Sequence, residues 1–290
     1  MRYRQASRRL LLTLLVCASA CPALALARVH AARGTPALRS NSVYVFDETN
    51  SAVLLSRQSD VAMPIASITK LMTALVVLEA GQPLDEQLEV SADDGGARSG
   101  VSRLRTGTAL SRADLLHLAL MSSENRAAHA LGRSYPGGLP ACVQAMNAKA
   151  QALGMKSTRF VEPTGLSSDN VASSADLAKL VQAAAESPMI QQYSTDKSYT
   201  VPVRRHLVEF RNTDSLVHNP TWNIIVQKTG YIARAGRCLV MKAIFEGRSV
   251  VIVLLDSAGS RSRFADAARI RKWMESRLAA ATASALAPQA

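Results

Sequence analysis

From Ser67 to Ala80 the chain is apolar on nearly every face that a helix can present: Leu71, Met72, Ala74, Leu75, Val76, Val77 and Leu78 leave no polar stripe. A helix that is apolar all round belongs in an interior, so this segment is expected to run through the middle of the fold. Gly81 and Pro83 stop it. The chain has 290 residues, 48% hydrophobic and 19% charged, enough to bury one or two cores around such a helix. Aromatics make up only 4%, so Leu, Val, Ile and Ala must do most of the packing. No internal repeat of solenoid length is visible.

The segments on either side differ in kind. Before the buried helix, Ser42–Asp47 and Ala52–Ser56 are short β-type runs around Glu48-Thr49-Asn50-Ser51, a predicted hairpin. After it the pattern turns helical. Ser111 with Asp114 three residues on resembles a capping box ahead of Leu115–Leu120. Further helices are expected over Arg126–Gly132 and Leu139–Gly154, and from a cap at Ser173 or Ser174 through Ala185. The last third returns to β-runs at Ile224–Gln227, Cys238–Phe245 and Val250–Leu255, then a final amphipathic helix over Arg263–Leu278. Strands at both ends with helices between predict a mixed α/β (α+β) fold: an antiparallel sheet flanked by helices, with an all-helical subdomain inserted. The tight Glu246-Gly247-Arg248 connection is what makes the sheet antiparallel.

The first 27 residues read as an export signal. Arg2, Arg4, Arg8 and Arg9 precede an apolar run from Leu10, and Ala23-Leu24-Ala25 or Ala25-Leu26-Ala27 fits the cleavage pattern. The run is too short for a membrane span. Removing it takes four Arg and no acid from a net charge of +12, leaving +12 − 4 = +8. Such a basic exported protein suits anionic envelope polymers. No basic stripe interleaves with aromatics, so nucleic acid is not an expected partner. Residues 28–41 read as a flexible lead-in and residues 279–290 as a disordered tail, bracketing a domain over 42–278. Outside the signal, Cys142 and Cys238 remain, either bridged or as two buried thiols. The five histidines are scattered singly, and no metal or other cofactor is expected.

Chemistry enters with Ser67-Ile68-Thr69-Lys70, which puts a hydroxyl and an amine on one helical face at the start of the buried helix. A serine hydroxyl needs a neighbouring base, and lysine serves as one only when burial and the helix dipole drive off its proton. Spacing alone is weak evidence. Ser194-Thr195-Asp196-Lys197 repeats it in a polar stretch read as a loop. Ser123-Glu124-Asn125 sits between two predicted helices, and Lys228-Thr229-Gly230 follows an apolar strand, offering a cation and a hydroxyl for a carboxylate. Its glycine is expected to let substrate approach the backbone closely. Each has a decoy, Ser168-Asp169-Asn170 and Arg105-Thr106-Gly107. Only 67, 123 and 228 combine helix start, inter-helix turn and strand in that order, 56 and 105 residues apart.

This set resembles the SxxK, SDN and KTG elements of penicillin-binding proteins and class A β-lactamases. The segment Pro64–Ala74 is similar to the nucleophile segment of D-Ala-D-Ala carboxypeptidases and endopeptidases, and Phe160–Leu166 followed by Ser173–Ala178 to their post-helical loop. Arg211-Asn212-Thr213, Trp222-Asn223 and Cys238-Leu239-Val240-Met241 resemble the short D-alanyl-D-alanine endopeptidases most. The resemblance covers roughly residues 40–277 and implies a penicillin-binding-protein-like fold and a periplasmic serine peptidase. It would act on peptidoglycan stem peptides, be acylated by β-lactams and have no stable membrane anchor, since the sequence ends soon after Trp273. It also implies roles. Ser67 is the nucleophile and Lys70 its base; Ser123 and Lys228 relay a proton; Asn125 orients substrate; Lys228 and Thr229 hold a carboxylate beside Gly230; and the backbone N–H groups of Ser67 and Tyr231 bind the oxyanion. Glu162-Pro163 superficially matches the deacylating glutamate of class A β-lactamases, but Thr164-Gly165-Leu166 fits the peptidase loop. The same catalytic set serves a carboxypeptidase trimming terminal D-Ala, or a penicillin receptor that acylates once.

Overall fold

The hairpin and the last three strands meet in one sheet, although more than 160 residues of chain separate them. The structure is a computed structural model describing residues 34–95 and 102–285. β1 (Ser40–Asp47) and β2 (Ala52–Arg57) form the hairpin. β3 (Met63–Pro64), a 3-10 turn (Ala66–Ile68) and α1 (Thr69–Glu79) follow. β4 (Gln87–Glu89) pairs with β5 (Ala109–Ser111), leading into α2 (Arg112–Met121), α3 (Asn125–Arg133) and α4 (Gly138–Ala152). β6 (Val171–Ala172), α5 (Ser174–Ala184), α6 (Pro188–Thr195) and the hairpin β7 (Ser198–Val203) and β8 (His206–Arg211) come next. β9 (Asn223–Ile232), β10 (Gly236–Phe245), β11 (Arg248–Ser257) and α7 (Ser262–Ala285) close the order.

The main sheet runs β2-β1-β11-β10-β9, every pair antiparallel. Alternation decides its two faces. On β11, Val251, Val253 and Leu255 belong to the core shared with α1 and α5. Val250, Ile252 and Leu254 pack with Ala267, Ile270, Trp273 and Met274 of α7. Covering both faces explains why the strands read as unbroken apolar runs. Between β10 and β11, Glu246 and Gly247 both take positive φ (49° and 75°) around the Phe245–Arg248 pair. That is the two-residue turn matching strand twist. Residues 35–275 form one compact unit.

Every residue from Thr69 to Val77 is buried, as an all-apolar helix requires. The helix starts two residues later than expected: Ala66 turns the chain at φ +48°, and the Thr69 hydroxyl donates to its carbonyl at 2.8 Å. The Ser111–Asp114 capping box forms in full. At α5 the cap is Ser173, while the Ser174 hydroxyl accepts from Ser42 at 2.8 Å.

Two boundaries need correction. β1 begins at Ser40, inside the expected lead-in, because Asp266 Oδ2 accepts from the amides of Arg39 and Ser40 and from the Ser40 hydroxyl. The last helix continues to Ala285, past the expected start of the tail, over an alanine-rich stretch with the strongest helix preference. The predicted export signal lies outside the described residues. Cys142 and Cys238 are free and buried, and desolvation pushes both thiols up to about 12. Among the described residues no helix is long and apolar enough to cross a membrane.

Candidate active site

The strained turn at Ala66 presents Ser67 half-buried on the 3-10 turn, and one helical step later Lys70 enters the core with 1% exposure. The Lys70 amine lies 2.9 Å from Ser67 Oγ, 2.8 Å from Asn125 Oδ1 and 2.6 Å from the Thr164 carbonyl. Burial drives its pKa down from 10.5 to about 8, partly opposed by the carboxylates of Glu162 and Glu124. The count of partners matters. A neutral amine has two protons and one lone pair. Donating the two protons to Asn125 Oδ1 and the Thr164 carbonyl leaves the lone pair for the Ser67 hydroxyl.

Between α2 and α3 the chain reverses through Ser123 at φ +61°. A non-glycine residue there is uncommon and strained. The cap of α3 is Glu124, whose carboxylate accepts from Arg126 N at 3.2 Å and from the Ser102 hydroxyl at 2.6 Å. Asn125 is thereby left at the helix start with its amide oxygen on Lys70.

Lys228, Thr229, Gly230 and Tyr231 lie within β9, not beyond its end. Lys228 is fully buried and donates to the Thr229 carbonyl at 3.0 Å. Burial and then the neighbouring Lys70 charge hold its pKa well below the ordinary lysine value, against the opposite pull of Asp214. Asp214 is itself raised to about 6 by burial, although it accepts from Leu216 N at 2.8 Å. Thr229 Oγ1 is 2.6 Å from Thr213 Oγ1. Tyr231 is exposed, with the Arg237 guanidinium 4.3 Å over its ring.

Gly230 serves a different neighbour from the one expected. A Cβ there would sit 2.9 Å from the Ile65 carbonyl oxygen and 3.2 Å from Ser67 N, so the backbone that comes close is that of the nucleophile's own turn. The sequence reading also missed Gly165 as a site residue. At φ +81° its Cβ would lie 1.9 Å from the Ala66 carbonyl oxygen. Glu162 builds the loop that carries it. One carboxylate oxygen accepts from Thr164 N, the other from Gly165 N at 2.6 Å and from the Asn170 amide at 2.8 Å. Thus Glu162 and the decoy residue Asn170 are loop braces. For Glu162 the advance signals were the likeness of the Phe160–Leu166 segment to the peptidase loop and the superficial match to the β-lactamase glutamate; Asn170 stood only in a decoy, and nothing in the local pattern marked Thr164 as a partner of Lys70.

Fold and site together define a serine-type hydrolase with the penicillin-binding-protein fold. Residues 29–259 match the D-alanyl-D-alanine carboxypeptidase family, and the chain belongs to it. The chain is 51% identical to the D-alanyl-D-alanine endopeptidase of Pseudomonas aeruginosa over 82% of its own length and 78% of the relative's. For the D-alanyl-D-alanine endopeptidase of Escherichia coli the figures are 47%, 83% and 78%. Among solved structures, the D-alanyl-D-alanine carboxypeptidase of Mycobacterium tuberculosis superposes with a TM-score of 0.76 at 28% identity, covering 88% of this chain and 95% of that one.

Proposed function

We propose that the protein is a periplasmic D-alanyl-D-alanine endopeptidase that hydrolyses D-alanyl cross-links in peptidoglycan through a Ser67 acyl-enzyme. The observation that carries the reading is the buried Lys70 amine 2.9 Å from Ser67 Oγ, with its pKa lowered to about 8. At pH 7 an ordinary lysine is neutral in roughly one molecule in 3,000; at a pKa near 8 the share is about one in ten, a ~300-fold gain in competent base. The identities to two named endopeptidases favour cross-link cleavage over trimming.

Ser67 Oγ bonds to the carbonyl carbon of the D-Ala residue while its proton passes to the Lys70 lone pair. The amides of Ser67 and Tyr231 stabilise the oxyanion. Ser123 and Lys228 deliver a proton to the departing amine, Asn125 orients the substrate, and Lys228 and Thr229 beside Gly230 hold a carboxylate. Water then releases the acyl group and restores the Ser67 hydroxyl. β-Lactams enter the same way and leave slowly. Both oxygens of Glu162 are engaged by the loop it braces, so Glu162 is held as a brace and not as a base for the deacylating water.

Digestion of purified cross-linked muropeptides tests the reading. Loss of dimer supports it. Release of free D-Ala from pentapeptides without dimer loss makes the protein a carboxypeptidase, and acylation by penicillin without either product makes it a receptor.

A further inference from the structure

Beside the catalytic elements lies a cavity of about 1010 Å³ that the acyl-transfer chemistry leaves unused. Arg103, Arg105, Arg126, Arg204, Arg205 and His206 line it, and the residues 204–205 that turn β7 into β8 supply two of the five guanidiniums. That turn runs against local preference. Two-residue hairpin loops favour Asn-Gly or Gly, yet Arg204 holds φ +56°. A bulky residue in the left-handed region is strained, and here the strained position carries a cation into the cleft.

Backbone carbonyls orient three of the five guanidiniums, and Arg103 also lies close enough to the Glu209 carboxylate to help Arg211 lower that group's pKa. Arg103 donates to the Glu209 carbonyl at 2.6 Å, Arg126 to the Leu104 carbonyl at 2.8 Å and Arg204 to the Thr106 carbonyl at 3.1 Å. Among the described residues none of the five arginines is in an ion pair. The cleft also connects to the catalytic centre. Arg103 lines a second cavity, of about 390 Å³, with Glu124, Phe210, Arg211 and Thr213, and Thr213 Oγ1 touches Thr229 Oγ1. On the other wall Arg126 directly follows Asn125.

From this geometry we infer that the arginine cleft binds the free carboxylates of the peptide stem lying beyond the scissile bond in a cross-linked substrate. Arginine pairs carboxylates through two parallel hydrogen bonds, and each peptidoglycan stem carries carboxylates along its length. Continuity with the catalytic strand favours a peptide arm of the substrate over a separate anionic polymer. The inference rests on the endopeptidase reading.

The test replaces the turn, R204N with R205G, which supplies the residues that a two-residue hairpin prefers. In a Ser67→Ala background, calorimetry with purified cross-linked muropeptide dimer reads binding without cleavage, so the result stands even if the proposed reaction fails. The expected result is dimer affinity weakened about tenfold, with a shallower salt dependence. In the Ser67 enzyme, KM for dimer rises by a similar factor with kcat and penicillin acylation unchanged, which also shows that the fold survives. Unchanged dimer affinity overturns the inference. So does weakened binding of soluble polyphosphate alongside unchanged dimer affinity, which would assign the cleft to a phosphate polymer. If dimer binds through the cleft but is never cut, the endopeptidase reading falls and the cleft remains.

Discussion

Two stretches of this chain carry serine and lysine three residues apart, and the fold treats them oppositely. Ser67 and Lys70 straddle the start of a helix with no exposed face, so the amine is forced into the core beside the hydroxyl. Ser194 closes α6, where its hydroxyl donates to the Gln191 carbonyl at 3.2 Å, and Lys197 lies past the helix end in solvent. Burial lowers the pKa of the first lysine from 10.5 to about 8. Spacing brings two groups within reach; burial makes one of them a base.

The largest effect should come from breaking the first pair. Ser67→Ala is expected to abolish the covalent penicillin adduct seen by intact-protein mass spectrometry and to lower turnover on the order of 10⁶-fold. An adduct surviving that change would remove the nucleophile assignment. Lys70→Arg keeps the charge and cannot shed it, so acylation should fall roughly 10³-fold, while Lys197→Arg leaves it alone.

The pH dependence sharpens the same contrast. The competent base is the unprotonated amine, so wild-type acylation should climb about tenfold per unit through the acidic and neutral range and level off above the value near 8. Stopped-flow acylation across pH 5–10 reads this directly; a flat profile through pH 6 would deny Lys70 the role.

The Lys228-Thr229-Gly230 motif and its Arg105-Thr106-Gly107 decoy allow a comparison of a different kind. At Gly230 a Cβ meets the nucleophile turn's backbone, whereas at Gly107 nothing lies within 4 Å among the described residues. Gly230→Ala should therefore displace Ser67 and slow acylation about 10²-fold, the scale of a 1 Å misplacement. Gly107→Ala meets only the strain of φ +80°, about 1 kcal/mol, which lowers the melting temperature without touching acylation.

These contrasts mark what the sequence can express. The sheet's two halves, the buried helix and the capping box at Ser111 were legible because periodicity and cap chemistry are local. Ser67, Lys70 and Asn125 were found because their residue types sit at helix starts, and the structure brings all three together. The Lys70 contact with the Thr164 carbonyl and the Gly165 approach to Ala66 were not legible. Each ends on a backbone carbonyl, across 94 and 99 residues of chain, and backbone atoms leave no trace in residue identity. The β7–β8 hairpin was missed for the opposite reason: its turn residues contradict the local preference that would have announced it.

The smallest effect belongs to the second pair. Ser194 is buried, and its hydroxyl donates to the Gln191 carbonyl while accepting from Gln227 N at 3.4 Å. Ser194→Ala leaves a buried amide short of an acceptor, so it should destabilise the protein by about 1 kcal/mol. Lys197→Ala removes an exposed side chain and should stay within about 0.5 kcal/mol of wild type. Neither should change the rate or pH profile of acylation, because Gln227 lies one residue before Lys228 yet its side chain donates to Asn212 Oδ1 at 2.9 Å, away from the lysine pair. Paired urea melts and acylation assays check both; a Ser194→Ala protein that folds normally but acylates tenfold slower would show that β9 transmits strain from α6 to Lys228.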